Sequence, residues 1–395
     1  MHTAQPTAQV PTLRFSRRDF LHKAALAGAA SLATPLLAQT TPTRPAPAKP
    51  ASSPKSNGDQ RLSLAALERW EALGLGLFFH FGMGTFDGEE FDYNHSSGTK
   101  SSTTYAPTAL DVGQWLDLAQ AAGARYAVLT AKHVAGHGLW PSRHTDYHVG
   151  TSGNKTDVVR AFTEGCRQRG ILPGLYYCAW DNHHRFGSVT RTDVLTFSRA
   201  AGADLWSPKD QRPFTTERYR EFMWQQLDEL ATGYGPLGEV WIDIPMVLPR
   251  DYRDRLYSHL AKKQPDALIM FNAGIGDGSA LNVNDAWPTD LVAIERFLPN
   301  SHSGHVKWRA IEGRRCYIPG EVCDPIGKDW FYVDRDQPRS DAELLGMYLV
   351  SRSRGCNFLL NVPPDRTGRI PARFEDSLLR LKKNIDGLKS GTATI

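Results

Sequence analysis

The sequence predicts an α/β fold, a (β/α)₈ TIM-like barrel over residues 60–390, and two observations carry that prediction. Apolar runs of four to eight residues alternate with segments of helical period, the pattern of a parallel sheet built from repeated βα units. Four of those runs end in a side chain able to do acid, base or nucleophilic chemistry: 75–79 in His80, 126–132 in His133, 239–242 in Asp243 and 291–294 in Glu295. In parallel barrels the active groups sit at the carboxyl ends of the strands, where eight loops converge. An open doubly wound sheet alternates in the same way, but no Gly-rich phosphate loop follows the first run.

Taken in order, residues 62–73 read as an opening helix and 75–81 as the first strand. Residues 110–122 form a helix with Leu110, Trp115, Leu116, Leu118 and Ala119 largely on one stripe, stopped by Gly123. The second strand is 126–131. A helix follows over 156–169, with Thr156 and Asp157 as its candidate caps. The third strand is 172–180, then come a helix at 216–231 and the fourth strand at 239–244. The second half continues with a helix at 252–263 and strands at 267–272 and 291–296. A seventh strand is expected at 315–318, a helix at 341–351, an eighth strand at 357–362 and a closing amphipathic helix at 374–388.

The chain has 395 residues, 41% of them hydrophobic, and a net charge of +4. Its basic residues are scattered, so the clustered footprint of a nucleic-acid binder is lacking. Nothing calls for a metal or an organic cofactor: His133 and His137 lie four apart, but Val134-Ala135-Gly136 between them lacks the Glu of a metalloprotease helix. The five cysteines are an odd number and read as packing residues. Cys316 and Cys323 are able to pair in an oxidising compartment, but their spacing fits no zinc framework.

Residues 1–38 read as an export signal. Ser16-Arg17-Arg18-Asp19-Phe20-Leu21 resembles the twin-arginine motif, an apolar small-residue stretch follows over 24–37, and Leu36-Leu37-Ala38 offers a cleavage point before Gln39. Residues 39–59, rich in Pro, Ala, Thr and Ser, read as a disordered linker. The expectation is a periplasmic or secreted protein with no stable membrane anchor after cleavage.

Asp243 ends an apolar run, where a carboxylate is costly to bury unless it is hydrogen-bonded or used. The competing reading is a strand-end Asp capping the loop at Pro245. Glu295 has the same form, with an ion pair to Arg296 as its alternative. Two strand-end carboxylates facing one pocket are the minimum equipment for glycoside hydrolysis: one attacks the anomeric carbon or activates water, and the other protonates the leaving oxygen. His80 and His133 read either as satisfied rim residues or as hydrogen-bonding partners for sugar hydroxyls. Trp140, Trp180 and Trp241 are available for a sugar's apolar face or for the core.

These residues resemble the α-L-fucosidases of glycoside hydrolase family 29. The resemblance runs through Phe79-His80-Phe81-Gly82, Thr130-Ala131-Lys132-His133, Gly138-Leu139-Trp140-Pro141-Ser142-Arg143, Gly174-Leu175-Tyr176-Tyr177, Val240-Trp241-Ile242-Asp243 and Phe358-Leu359-Leu360-Asn361-Val362-Pro363-Pro364-Asp365, in the family's order. It implies a retaining exo-glycosidase acting on a fucosylated substrate. Asp243 would be the nucleophile and Glu295 the acid/base, with Glu321 the second choice for that role and Glu90 the third. His80, His133 and Trp241 would hold the sugar, with Glu90, Trp140, Tyr177 and Trp180 also in the binding set. The family usually follows the second-strand His with another His and an Asp, where this chain has Val134 and Ala135. It usually has Gly after the nucleophile, where this chain has Ile244. A shifted sugar specificity, or a sugar-binding pseudoenzyme, is therefore kept as an alternative. The barrel is expected without the β-sandwich domain that many members carry.

Overall fold

The computed structural model describes residues 57–88, 98–184, 215–272, 274–300 and 304–390. The first half of the barrel runs α1 (Leu64–Glu71), β1 (Leu75–Phe79), α2 (Met83–Asp87), α3 (Val112–Ala121), β2 (Tyr126–Lys132), α4 (Val158–Gln168), β3 (Leu172–Cys178), α5 (Glu217–Gly233) and β4 (Glu239–Asp243). The second half continues with α6 (Arg250–Lys263), β5 (Leu268–Asn272), α7 (Val283–Ala286), β6 (Val292–Glu295), β7 (Trp308–Ile311), β8 (Arg314–Tyr317), β9 (Gly320–Pro325), α8 (Asp341–Ser353), β10 (Cys356–Asn361) and α9 (Ala372–Ser390). Helix starts are set by side chains that accept the orphan backbone N–H groups. Asp111, Asp157 and Thr216 cap α3, α4 and α5, and Ser340 with Glu343 forms a capping box on α8.

Eight parallel strands lie in the order β5-β4-β3-β2-β1-β10-β9-β6, a nearly closed (β/α)₈ barrel. At the seam, side chains do the work of a ladder between β5 and β6. Ile269 donates its N–H to Asp290 Oδ2 and accepts from the Asp290 N–H, both at 2.8 Å, and Phe271 N–H donates to Thr289 Oγ1 at 3.2 Å. The strands are buried on both faces, as parallel strands covered by helices must be.

The seventh barrel strand is not the expected 315–318. That stretch belongs to β8, which pairs antiparallel with β7 in a separate two-stranded hairpin. Glu312 and Gly313, at φ 50° and 77°, make the two-residue reversal with positive φ at both positions that such hairpins favour. The seventh strand is β9, between β10 and β6.

One break in regularity matters for the site. The β2–β3 register slips between Thr130 and Lys132. A bulge re-aims the side chains beyond it. Lys132 consequently points outward, where its Nζ bonds Asp181 Oδ2 at 2.7 Å and lies 4.3 Å from the Tyr177 ring. His133 is left to turn inward.

Candidate active site

Six strand ends, those of β1, β2, β4, β5, β6 and β10, supply the site at the carboxyl face. Asp243 closes β4, and both its oxygens accept hydrogen bonds: Oδ2 from the Tyr176 hydroxyl at 2.7 Å and Oδ1 from Asn272 Nδ2 at 2.9 Å. The same Asn272 Nδ2 donates to Glu295 Oε2 at 2.8 Å. Two oxygens sharing one nitrogen at those distances fall below the roughly 6.5–9.5 Å carboxyl separation that admits a water between acid and base. They fit the shorter spacing of double displacement. Burial lifts the Asp243 carboxyl above its ordinary range, opposed by the Tyr176 hydrogen bond, the nearby His133 and Asn272. Burial and then the charge of Asp243 push Glu295 up to about 7.

Arg296 does not neutralise Glu295 by pairing with it. Its guanidinium lies 3.7 Å from Asp324, donates to the Lys328 carbonyl and sits 4.8 Å over the Trp330 ring. Its backbone is left-handed at φ 61°, and Ile244, which follows Asp243, is left-handed at φ 52°. Non-glycine residues rarely adopt this conformation, least of all β-branched ones. Each acid is thus followed at once by a residue held in a strained left-handed conformation.

The two histidines line the same space. His80 Nδ1 lies 2.8 Å from Asn361 Oδ1, and the Asn361 amide nitrogen donates to the Trp330 carbonyl at 2.8 Å. That second bond turns Oδ1 toward His80, so Nδ1 carries the proton and Nε2 is an acceptor. Burial, then the neighbouring His133, holds His80 well below its ordinary ionisation, so it is neutral. His133 stacks on Tyr176 at 5.2 Å and 10°, and His80 lies 4.9 Å from the Trp330 ring. Phe331 meets both imidazoles edge-on. Beneath them, Trp241 packs against Phe78 at 5.4 Å and Tyr176 at 6.0 Å.

Tyr177 and Trp140 lie elsewhere. Tyr177 is turned away by strand alternation: its hydroxyl donates to Gln226 on α5 at 2.8 Å, and Tyr176 takes the place in the pocket. Trp140 is buried and donates to Glu229 on α5, which also binds Ser142 and Arg143. It holds the loop after β2 to the helix layer. Trp180, just past β3, bonds Asn182. Glu90 lies outside the described residues.

Glu321 is not at the strand ends. It is the second residue of β9, level with Ala293, two residues before Glu295 on the adjacent strand. Fully buried, it accepts from the Tyr126 hydroxyl at 2.7 Å and from Trp241 Nε1 at 3.0 Å. Gly76 makes room for this: a Cβ there would meet the Tyr126 ring at 2.4 Å. Glu239 lies beside Glu321 and Trp241 in the same buried layer. Burial raises both, Glu321 to about 7 and Glu239, beside the Glu321 charge, well above the carboxylate range. This pair belongs to the barrel core, and Glu321 stands two residues deeper than Glu295.

Sequence reading missed Asn272, Asn361, Tyr176, Trp330 and Phe331. The two asparagines had the same signature as the acids, an apolar run ending in a polar residue, and Tyr176 was readable from period-two alternation. All five cysteines are buried thiols. Among the described residues no cluster of His, Cys, Asp or Glu is poised to hold a metal, and no helix is long and apolar enough to cross a membrane.

A parallel barrel with paired carboxylates in an aromatic pocket at its carboxyl face has the equipment that glycoside hydrolysis requires. Residues 48–386 match the Alpha-L-fucosidase family model, and the chain belongs to that family. It is 30% identical to alpha-L-fucosidase 1 of Arabidopsis thaliana over 315 residues, covering 76% of this chain and 56% of that one. Tissue alpha-L-fucosidase of Homo sapiens is 26% identical over 275 residues, covering 68% of this chain and 52% of its own length. The chain thus spans little more than half the length of these relatives. Among solved structures, a glycoside hydrolase 29 family member from an unknown rumen bacterium superimposes with a TM-score of 0.61 at 25% identity, covering 81% of this chain and 56% of that one.

Proposed function

We propose that this protein is a retaining exo-α-L-fucosidase with Asp243 as nucleophile and Glu295 as acid/base. The observation that carries the reading is the short Asp243–Asn272–Glu295 bridge, which holds two acids of different character in one pocket. In the first step an Asp243 oxygen bonds to the anomeric carbon while the bond to the glycosidic oxygen breaks. The proton on Glu295 passes to that departing oxygen. In the second step water attacks the same carbon, its proton goes to the Glu295 carboxylate, and the Asp243 ester bond breaks. Two inversions return the starting configuration. Neutral His80 offers an acceptor to a sugar hydroxyl, and the aromatic lining suits a sugar's apolar face.

The test is hydrolysis of an aryl α-L-fucoside. Turnover that disappears in Asp243→Ala and returns with azide, giving the fucosyl azide of inverted configuration, supports the nucleophile. Unchanged turnover in Asp243→Ala would overturn it. A second reading is favoured by Val134, which is fully buried and apolar where the family usually has a histidine. On that reading the preferred sugar is a relative such as an L-galactose-configured one, and an aryl α-L-galactoside run in parallel decides between them. Export through the twin-arginine route is part of the proposal, supported by Arg17 and Arg18 ahead of an apolar stretch. Replacing both arginines with lysine should leave the protein inside the cell.

A further inference from the structure

We infer that Asn272 is a positioning residue that binds the two acids into one unit, fixing their spacing and selecting which Glu295 oxygen faces the substrate. The inference rests on the proposed assignment of Asp243 and Glu295 and deepens it. Asn272 ends β5, is almost fully buried, and has no freedom to choose its partners. Its Oδ1 accepts the Gly274 N–H at 3.0 Å, which turns the amide nitrogen toward the acids. An amide nitrogen has two hydrogens. Here one goes to Asp243 Oδ1 and the other to Glu295 Oε2.

Three consequences follow from that geometry. The acids lie on strands that are not both neighbours of one another, since β4 pairs with β5 while β6 sits across the seam. Among the described residues Asn272 is the side chain that bonds both acids. Glu295 Oε2 accepts a hydrogen bond, so the acid proton is placed on Oε1, the oxygen left to face the leaving group. Finally, a neutral donor shared by both carboxyls favours the ionised form of each, which opposes the burial that raises both.

The test uses the full-length protein with Asn272→Ala, and with Asn272→Asp as a near-isosteric second variant that keeps the volume. Carboxyl-carbon NMR titration of protein labelled at Asp and Glu reads Glu295 directly, identified by its loss in Glu295→Gln. In Asn272→Ala the Glu295 ionisation should move up by about one pH unit, and in Asn272→Asp further, because a third carboxyl then faces the pair. On an aryl α-L-fucoside, kcat should fall about 100-fold in Asn272→Ala with KM little changed, and the whole pH profile should shift upward. An unmoved Glu295 titration in both variants, each giving a native-like spectrum, overturns the inference. The titration needs no turnover. A wild-type protein that hydrolyses no fucoside therefore counts against the functional reading alone.

Discussion

Tyr176 and Asp243 stand on neighbouring strands, and the phenol donates to the carboxylate at 2.7 Å from within the barrel. Tyr177, one residue on, faces the helices and donates to Gln226. A single-residue step thus separates a group that tunes the nucleophile from one that anchors a helix.

Phenylalanine at each position should part the two roles. Tyr176→Phe removes a hydrogen bond to a charged group, worth about 1.5–3 kcal/mol, and should lower kcat/KM by roughly 10–100-fold. It should also raise the pH at which activity appears, because the carboxylate loses a partner that favours its charge. Tyr177→Phe should leave kcat unchanged and lower stability by about 1 kcal/mol, read by urea unfolding.

The pH profile should be narrow. The acid must hold its proton, so activity should decline as pH rises through about 7, where Glu295 ionises. The acidic limb should lie above the ordinary aspartate range, since burial raises Asp243. Because the two acids interact, both limbs belong to the pair, and Glu295→Gln should abolish the basic limb on aryl substrates.

The buried pair Glu239 and Glu321 should make stability depend on pH without touching catalysis. Both are raised in the folded state, so their contribution is present below about 4.5 and is lost as pH rises through the folded value, about 7 for Glu321. Unfolding free energy should drop by roughly 1–3 kcal/mol between pH 5 and pH 8 on this account. Glu239→Gln should flatten that slope in denaturant titrations, whereas an unchanged slope would show that the pair is not its source.

Lys132 and Asp181 form an ion pair with both side chains fully buried. Burial opposes the Asp181 charge, but Lys132 and His184 outweigh it and hold the carboxyl far below its ordinary range. Lys132→Met should therefore destabilise the protein by about 3–5 kcal/mol, since it strands a buried carboxylate. Thermal unfolding reads this directly, and the double variant Lys132→Met with Asp181→Asn should recover much of the loss.

Much of this was legible beforehand because parallel strands buried on both faces announce themselves as apolar runs, and a polar stop on such a run marks the carboxyl face. Asp243, Glu295, His80 and His133 were found that way. The β7–β8 hairpin supplied a strand-like stretch first, so the true seventh strand and the depth of its glutamate, Glu321, went unseen. No signature in the residues announces the slip at Thr130–Lys132 that sends Lys132 outward and His133 inward. Asn272 and Asn361 escape notice for a simpler reason: amides do not titrate, so a run that ends in one carries no sign of acid or base chemistry.

Ile244 and Arg296 give the pocket its division of labour. Because the residue after each acid is held in a left-handed conformation, changes farther along either loop meet a stiff corner before they reach a carboxyl group. Loop sequences beyond those corners are thereby released to adapt to different leaving groups, while the distance on which bond exchange depends stays locked to the strands.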